Sequence, residues 1–135
     1  MPSSVLPFLM FQGEAAEALD FYAQVFPALT VDEVDQYAGA DGSAGTGKLT
    51  RISLHGQQVI VFDSPMKHAF GFTPAFSFFV SCDSEEEVKR LARTLSEGGA
   101  EMMPPDDYGF STLFAWVSDR FGVSWQLNFV AAAAD

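Results

Sequence analysis

Basic residues are scarce in this chain. Seven lysines and arginines stand against 18 acidic residues, a formal net charge of −11 over 135 positions. None of the seven falls in the first 47 residues. Binding to a phosphate backbone needs a clustered basic patch, so nucleic acid is excluded as a partner, and an anionic membrane surface is disfavoured for the same reason. Cysteine is rarer still. Cys82 stands alone, which rules out an internal disulfide and a cysteine-based zinc site. It falls in an apolar run, where a free cysteine is expected to be a buried, inert thiol. Apolar runs long enough to span a bilayer are missing, as is a basic stretch followed by an apolar one at the N-terminus. The expectation is therefore a cytoplasmic protein without membrane contact. The common signatures of nucleotide chemistry and acyl transfer are absent too. The glycine-rich residues 42–47 lack the phosphate-loop pattern and precede no helix. No Gly-x-Gly-x-x-Gly follows a strand, and no Gly-x-Ser-x-Gly occurs.

Hydrophobic residues are abundant. They make up 48% of the chain, with 14 phenylalanines, and 135 residues suffice for one domain with a well-filled core. Residues 119–122 form a corner, after which the chain alternates: Val123, Trp125, Leu127 and Phe129 point one way, Ser124, Gln126 and Asn128 the other. This is a strand after a tight corner, with one apolar face and one uncharged polar face that is wet or lines a pocket.

Upstream, residues 5–11 read as a strand and 14–26 as a helix whose apolar stripe is Ala15, Ala18, Leu19, Tyr22, Val25 and Phe26. Pro27 ends it. Strands are predicted over 30–37, 48–54 and 58–63, the last two joined by a hairpin at His55-Gly56, with a loose loop over 38–47. The order then repeats. Residues 75–82 form a strand, and Ser84 and Glu87 form a capping box at a helix start. Val88, Leu91, Ala92 and Leu95 give its buried stripe, and Gly98-Gly99 stops it. Short strands over 101–103, 112–118 and 123–129 follow, with a loop over 104–109.

Two units of strand, helix and three strands, spaced by about 70 residues, imply an α+β fold of two tandem βαβββ modules within a single domain spanning 1–135. Module 1 covers about 5–64 and module 2 about 74–130. A sheet covered by a helix on one face needs a cover for the other, so the two sheets are expected to close into a cup. Such a cup is a natural small-molecule pocket.

This arrangement resembles the vicinal oxygen chelate superfamily, which includes glyoxalase I, bleomycin-resistance proteins and extradiol dioxygenases. More narrowly it is similar to the PhnB-like branch, labelled 3-demethylubiquinone-9 3-methyltransferase-like. The resembling stretches are residues 8–22, ending in Phe21-Tyr22, then Val25-Phe26-Pro27, residues 76–80 and 95–99, and above all Asp119-Arg120-Phe121-Gly122-Val123-Ser124-Trp125-Gln126. In metal-using members, His, Glu or Gln ligands project from the first and last strands of each module. The resemblance puts those positions at Pro7, Val61 (or Asp63), Ser77 and Gln126. Proline and valine cannot ligate, serine is a poor ligand, and a glutamine offers only a neutral oxygen. No metal and no cofactor is therefore expected.

A cup of this kind would be lined by Leu9, Phe11, Asp63, His68, Ser77, Phe79, Trp116, Ser124, Gln126 and Asn128, suited to a small aromatic or amphipathic molecule. His55 reads as a turn residue and Asp106-Asp107-Tyr108 as an acidic turn. His68, in the segment between modules, is the better histidine candidate for ligand contact. Three functions stay open. The first is a binding or sequestration protein, and the second an enzyme, metal-free or with an altered site using Asp63 and Gln126. The third is the methyl transfer of the family label, although no glycine-rich cofactor loop supports it. The resemblance also implies a homodimer.

Overall fold

The computed structural model describes residues 2–37 and 47–132. The chain forms two compact units, residues 1–70 and 71–135, and each is a βαβββ module. The loop predicted over 38–47 lies outside the described residues apart from Gly47. No described helix is long and apolar enough to cross a membrane.

The first module runs β1 (Phe8–Phe11), α1 (Ala15–Val25), β2 (Thr30–Tyr37), β3 (Gly47–Leu54) and β4 (Gln57–Asp63). Its open four-stranded sheet has the order β1-β4-β3-β2, with β1 parallel to β4 and the other pairs antiparallel. The hairpin between β3 and β4 turns at His55 (φ 48°) and Gly56 (φ 86°), the two positive-φ residues that match the twist of a tight antiparallel pair. The Phe26 ring meets His55 edge-on at 5.9 Å, tying the end of α1 to the hairpin tip. β1 begins three residues later than predicted, after Pro7, which accepts a bond from Ile60 N through its carbonyl but has no N–H for a ladder.

The second module runs β5 (Ser77–Ser81), α2 (Glu85–Ser96), β6 (Ala100–Asp106), β7 (Leu113–Ser118) and β8 (Ser124–Phe129), in the order β5-β8-β7-β6. Val88, Leu91, Ala92 and Leu95 of α2 are buried, as are Ala115, Val117, Trp125 and Leu127 of the sheet. Trp125 and Leu127 of β8 thus face the helix. The capping box forms: Glu87 N donates to Ser84 Oγ at 3.1 Å. The glutamate carboxylate reaches back to Asp83 N at 3.2 Å, one residue before the cap. β6 extends through Pro104 and Pro105, residues assigned to a loop by their sequence. It is an edge strand, and a proline there costs no ladder bond on the solvent side.

The turn from α2 into β6 passes through a close approach of backbones. A Cβ built on Gly99 would lie 2.1 Å from Ser118 O and 2.6 Å from the Asp119 carbonyl carbon. Neither backbone atom can withdraw without moving β7. Gly99→Ala is expected to lower unfolding stability by about 3 kcal/mol, the upper range for overpacking, measured by urea denaturation. An unchanged midpoint would show that β6 and β7 can part.

Candidate functional site

The ten candidate lining residues divide between the modules, and the two groups fare differently. Ser77, Phe79, Trp116, Ser124, Gln126 and Asn128 share one face of the second sheet, the face away from α2. Register places them in rungs. Ser77 on β5 lies beside Ser124, which pairs with Ser118; Phe79 lies beside Gln126, which pairs with Trp116; Ser81 lies beside Asn128, which pairs with Phe114. The rungs pass from hydroxyls to two amide–aromatic pairs.

The hydroxyl rung is internally satisfied. Ser124 is 1% exposed and shares a 2.6 Å hydrogen bond with Ser77 Oγ. It also accepts from Trp116 Nε1 at 2.8 Å. Ser124 therefore fixes the Trp116 indole and offers no surface of its own. Gln126 Nε2 donates to Ser77 Oγ over 3.4 Å. Asn128 Oδ1 is a buried acceptor without a hydrogen-bond partner. A buried acceptor left unpaired costs about 1–3 kcal/mol unless some donor reaches it. Phe79, at 59% exposed, stands out from the face.

Beyond Asn128 the face continues into aromatic rings. Phe114 is buried at 4% exposed. Its ring lies 4.9 Å from that of the exposed Phe110 and 6.1 Å from that of Tyr108. The tyrosine hydroxyl donates to Pro104 O, and its acidity is weakened by desolvation and by the charges of Asp106 and Glu101. Asp106 and Asp107 are spent on the turn, accepting from Asp107 N and Gly109 N at 2.8 Å each. The acidic-turn reading describes them; the aromatic cluster around them went unread.

In the first module the assignment of faces needs correction. Leu9 and Phe11 are 6% and 2% exposed and lie in register with Val61 and Asp63. Asp63 Oδ1 accepts from Gly13 N at 2.7 Å and Ala15 N at 3.4 Å, at the start of α1. That row faces the helix, so Leu9 and Phe11 are core, and Asp63 caps a helix that has no side-chain cap of its own. A strand alternates with period two, so displacement by one residue exchanges every side chain between faces. The face away from α1 carries Phe8, Met10, Ile60, Phe62, Leu49 and Arg51 instead.

His68 lies in the segment after β4. Its Nε2 is 3.1 Å from Ser64 Oγ, its ring stacks on Phe70 at 5.1 Å, and its backbone N donates to Gln12 Oε1 at 2.8 Å. Gln12 also donates to Phe70 O at 3.0 Å. Both ends of the Gln12 amide thus pin residues 68–70 to the end of β1, a clamp that no local pattern announces. Cys82 is 8% exposed; burial and the Glu87 charge push its thiol up to about 11. It is a packing residue held protonated, unlike an activated nucleophile.

The family's metal positions can be tested by donor chemistry. Pro7 has no ligating group, Val61 is 1% exposed in the helix-facing row, and Asp63 is turned to the α1 amides. Ser77 and Gln126 bond each other with neutral groups. Among the described residues, no three His, Cys, Asp or Glu side chains are grouped as a metal site. At these four positions the donors present do not match the usual ligand set of a zinc, nickel or iron centre.

The face is set by the corner before β8. Asp119, 2% exposed, accepts from Phe121 N at 2.9 Å and Val123 N at 3.0 Å through Oδ1, and from Trp125 Nε1 at 2.9 Å through Oδ2. Its place six residues before Trp125 was legible as a corner, but not as a buried acceptor. Asp119→Ala is expected to cost roughly 3 kcal/mol, since buried donors lose a charged acceptor. Asp119→Asn keeps the Oδ1 bonds and should cost less. Urea denaturation followed by tryptophan fluorescence checks both, and equal midpoints for wild type and Asp119→Ala would refute the clasp.

Comparison with known proteins agrees with this architecture. The family described as 3-demethylubiquinone-9 3-methyltransferase matches residues 3–128. A putative 3-demethylubiquinone-9 3-methyltransferase, PhnB protein, from Bacillus cereus is 38% identical, with a TM-score of 0.83 over 95% of this chain and 100% of that one. Protein PA1353 from Pseudomonas aeruginosa is 23% identical, with a TM-score of 0.76 over 96% and 98% of the two chains. The genomically encoded fosfomycin resistance protein FosX from Listeria monocytogenes shares the fold at 10% identity, with a TM-score of 0.68 over 95% and 94%. No curated protein matches the chain. A glyoxylase/bleomycin resistance protein/dioxygenase domain from Frankia shares the fold at 11% identity, with a TM-score of 0.69 over 97% and 99% of the two chains. The chain belongs to the PhnB-like family described as 3-demethylubiquinone-9 3-methyltransferase.

Proposed function

We propose that this protein binds a small aromatic or amphipathic molecule on the face of its second sheet turned away from α2, without metal-centred chemistry. The observation that carries the reading is Asn128 Oδ1, a buried acceptor without a partner, in register with the buried Phe114 ring and one rung from Gln126 and Trp116. A ligand with an aromatic ring and a hydroxyl or amide donor would stack on the rings and satisfy the acceptor. Ser124 and Ser77 contribute by holding Trp116 rather than by touching the ligand.

The family description supplies a second reading, methyl transfer to a demethylubiquinone. An aromatic hydroxyl compound of that class suits the same face. Asp106 is in register with Phe114 on these rungs, but its carboxylate accepts from Asp107 N within its own turn. No histidine stands on these rungs beside it to complete an acid–base pair for a reacting hydroxyl, and this favours binding over catalysis. The reading also carries a cytoplasmic homodimer; light scattering at micromolar concentration should give twice the 14.7 kDa chain mass, and monomer alone would remove it.

Thermal shift on chelator-treated protein separates these functions, because a ligand that binds only the folded state raises the melting temperature. Simple phenols and catechols are expected to raise it and to change Trp116 fluorescence. Asn128→Leu should weaken them by about tenfold, the worth of one buried hydrogen bond. A shift with manganese, zinc or nickel alone would restore the metalloenzyme reading. One with S-adenosylmethionine would favour methyl transfer.

A further inference from the structure

The face of the first sheet turned away from α1 holds one arginine, Arg51, between apolar side chains on β1 and β4 and the polar Ser53, Gln58 and Glu33 of the same face. Phe8, Ile60 and Arg51 form a rung across β1, β4 and β3, flanked by Met10, Phe62 and Leu49 on the next. Phe8 is 52% exposed and its ring lies 5.9 Å from that of Phe62. Arg51 is the sole arginine in the first 70 residues. Its Nε is buried and has no hydrogen-bond partner, and an N–H withdrawn from water without an acceptor is costly.

The neighbouring carboxylate does not answer it. Asp32, at the irregularity between Val31 and Glu33 in β2, accepts from Thr30 Oγ1 at 2.9 Å and Ser53 Oγ at 2.6 Å. Those two hydroxyls are the main reasons its acidity is strengthened; the Arg51 charge is the weakest. Glu33, opposite Arg51 in register, is exposed at the outer edge.

We propose that Arg51 recognises the carboxylate of a small aromatic acid whose ring lies over Phe8, Ile60 and Phe62. A guanidinium presents two parallel N–H groups to a planar carboxylate, one of them Nε–H, so a bidentate ligand would satisfy the orphaned donor. The apolar surroundings select the body of the ligand and strengthen the ion pair by excluding water. With a net charge of −11, the protein as a whole repels anions, so discrimination rests on contact with this side chain. The inference needs only the first module, and stands whether or not the Asn128 face binds a phenol.

The probes are 2-naphthoate and its neutral counterpart 2-naphthamide. In wild-type protein, naphthoate should move the Arg51 Nε–Hε NMR resonance, identified by its loss in Arg51→Lys, while naphthamide and acetate leave it in place. By calorimetry, Arg51→Gln should weaken naphthoate by about tenfold and leave any naphthamide binding unchanged. Naphthoate binding with an unmoved Arg51 resonance, equal affinities for wild type and Arg51→Gln, or no saturable binding at millimolar concentration would each overturn the proposal. An equal shift with acetate would overturn the aromatic part. The wild-type resonance decides the matter if Arg51→Gln does not fold, and Trp116 fluorescence, which reports the second module, separates failure here from failure there.

Discussion

The second module depends on a buried carboxylate. Asp119 is almost completely withdrawn from water, a placement that would cost several kcal/mol for an unpaired charge. Two backbone amides and the Trp125 indole offset that cost. The corner is closed again by Asp119 N donating to Val123 O and Gly122 N to Asp119 O, both at 2.9 Å. Together these bonds fix the phase of β8. Phase is decisive in a strand, because it sends Trp125 and Leu127 to the helix and Ser124, Gln126 and Asn128 to the other face. β8 lies between β5 and β7, so both neighbours inherit its phase. The six-residue spacing from Asp119 to Trp125 is thus a geometric requirement of this corner, and the polar face is its consequence.

Where a segment's own pattern determined its structure, the sequence was legible. The alternation of residues 123–129, the stripe of α2 with its Ser84 cap, and β2 over residues 30–37 could all be read locally. The first module was misread by a single residue. In the run Phe8-Leu9-Met10-Phe11 all four side chains are apolar, so alternation carries no phase. The phase is set by a contact 50 residues away, from Gly13 N to Asp63. No periodicity reports such a contact, and Leu9, Phe11 and Asp63 were assigned to the wrong face together. Gln12, which holds the His68 segment by both ends of its amide, escaped for the same reason. The Pro104-Pro105 stretch failed differently: its tolerance as strand follows from an edge position, which is a property of sheet order.

The corrected phase gives the two modules unlike faces. The second presents neutral hydroxyls, two amides and aromatic rings; the first presents apolar side chains on β1 and β4 beside one guanidinium, with Ser53, Gln58 and Glu33 around it. Among the described residues, neither offers the grouped imidazoles and carboxylates that hold a catalytic metal. What each offers is an unsatisfied buried polar atom beside an apolar wall: an acceptor at Asn128 in one, a donor at Arg51 in the other. Folding alone gives no reason to keep such atoms, because an apolar residue of similar shape at either site would remove a desolvation cost. Their position beside aromatic rings is what the proposed binding of an amphipathic ligand rests on. On the proposed reading the apolar wall would supply affinity without direction, and the polar atom direction, its desolvation cost being recovered when a ligand binds.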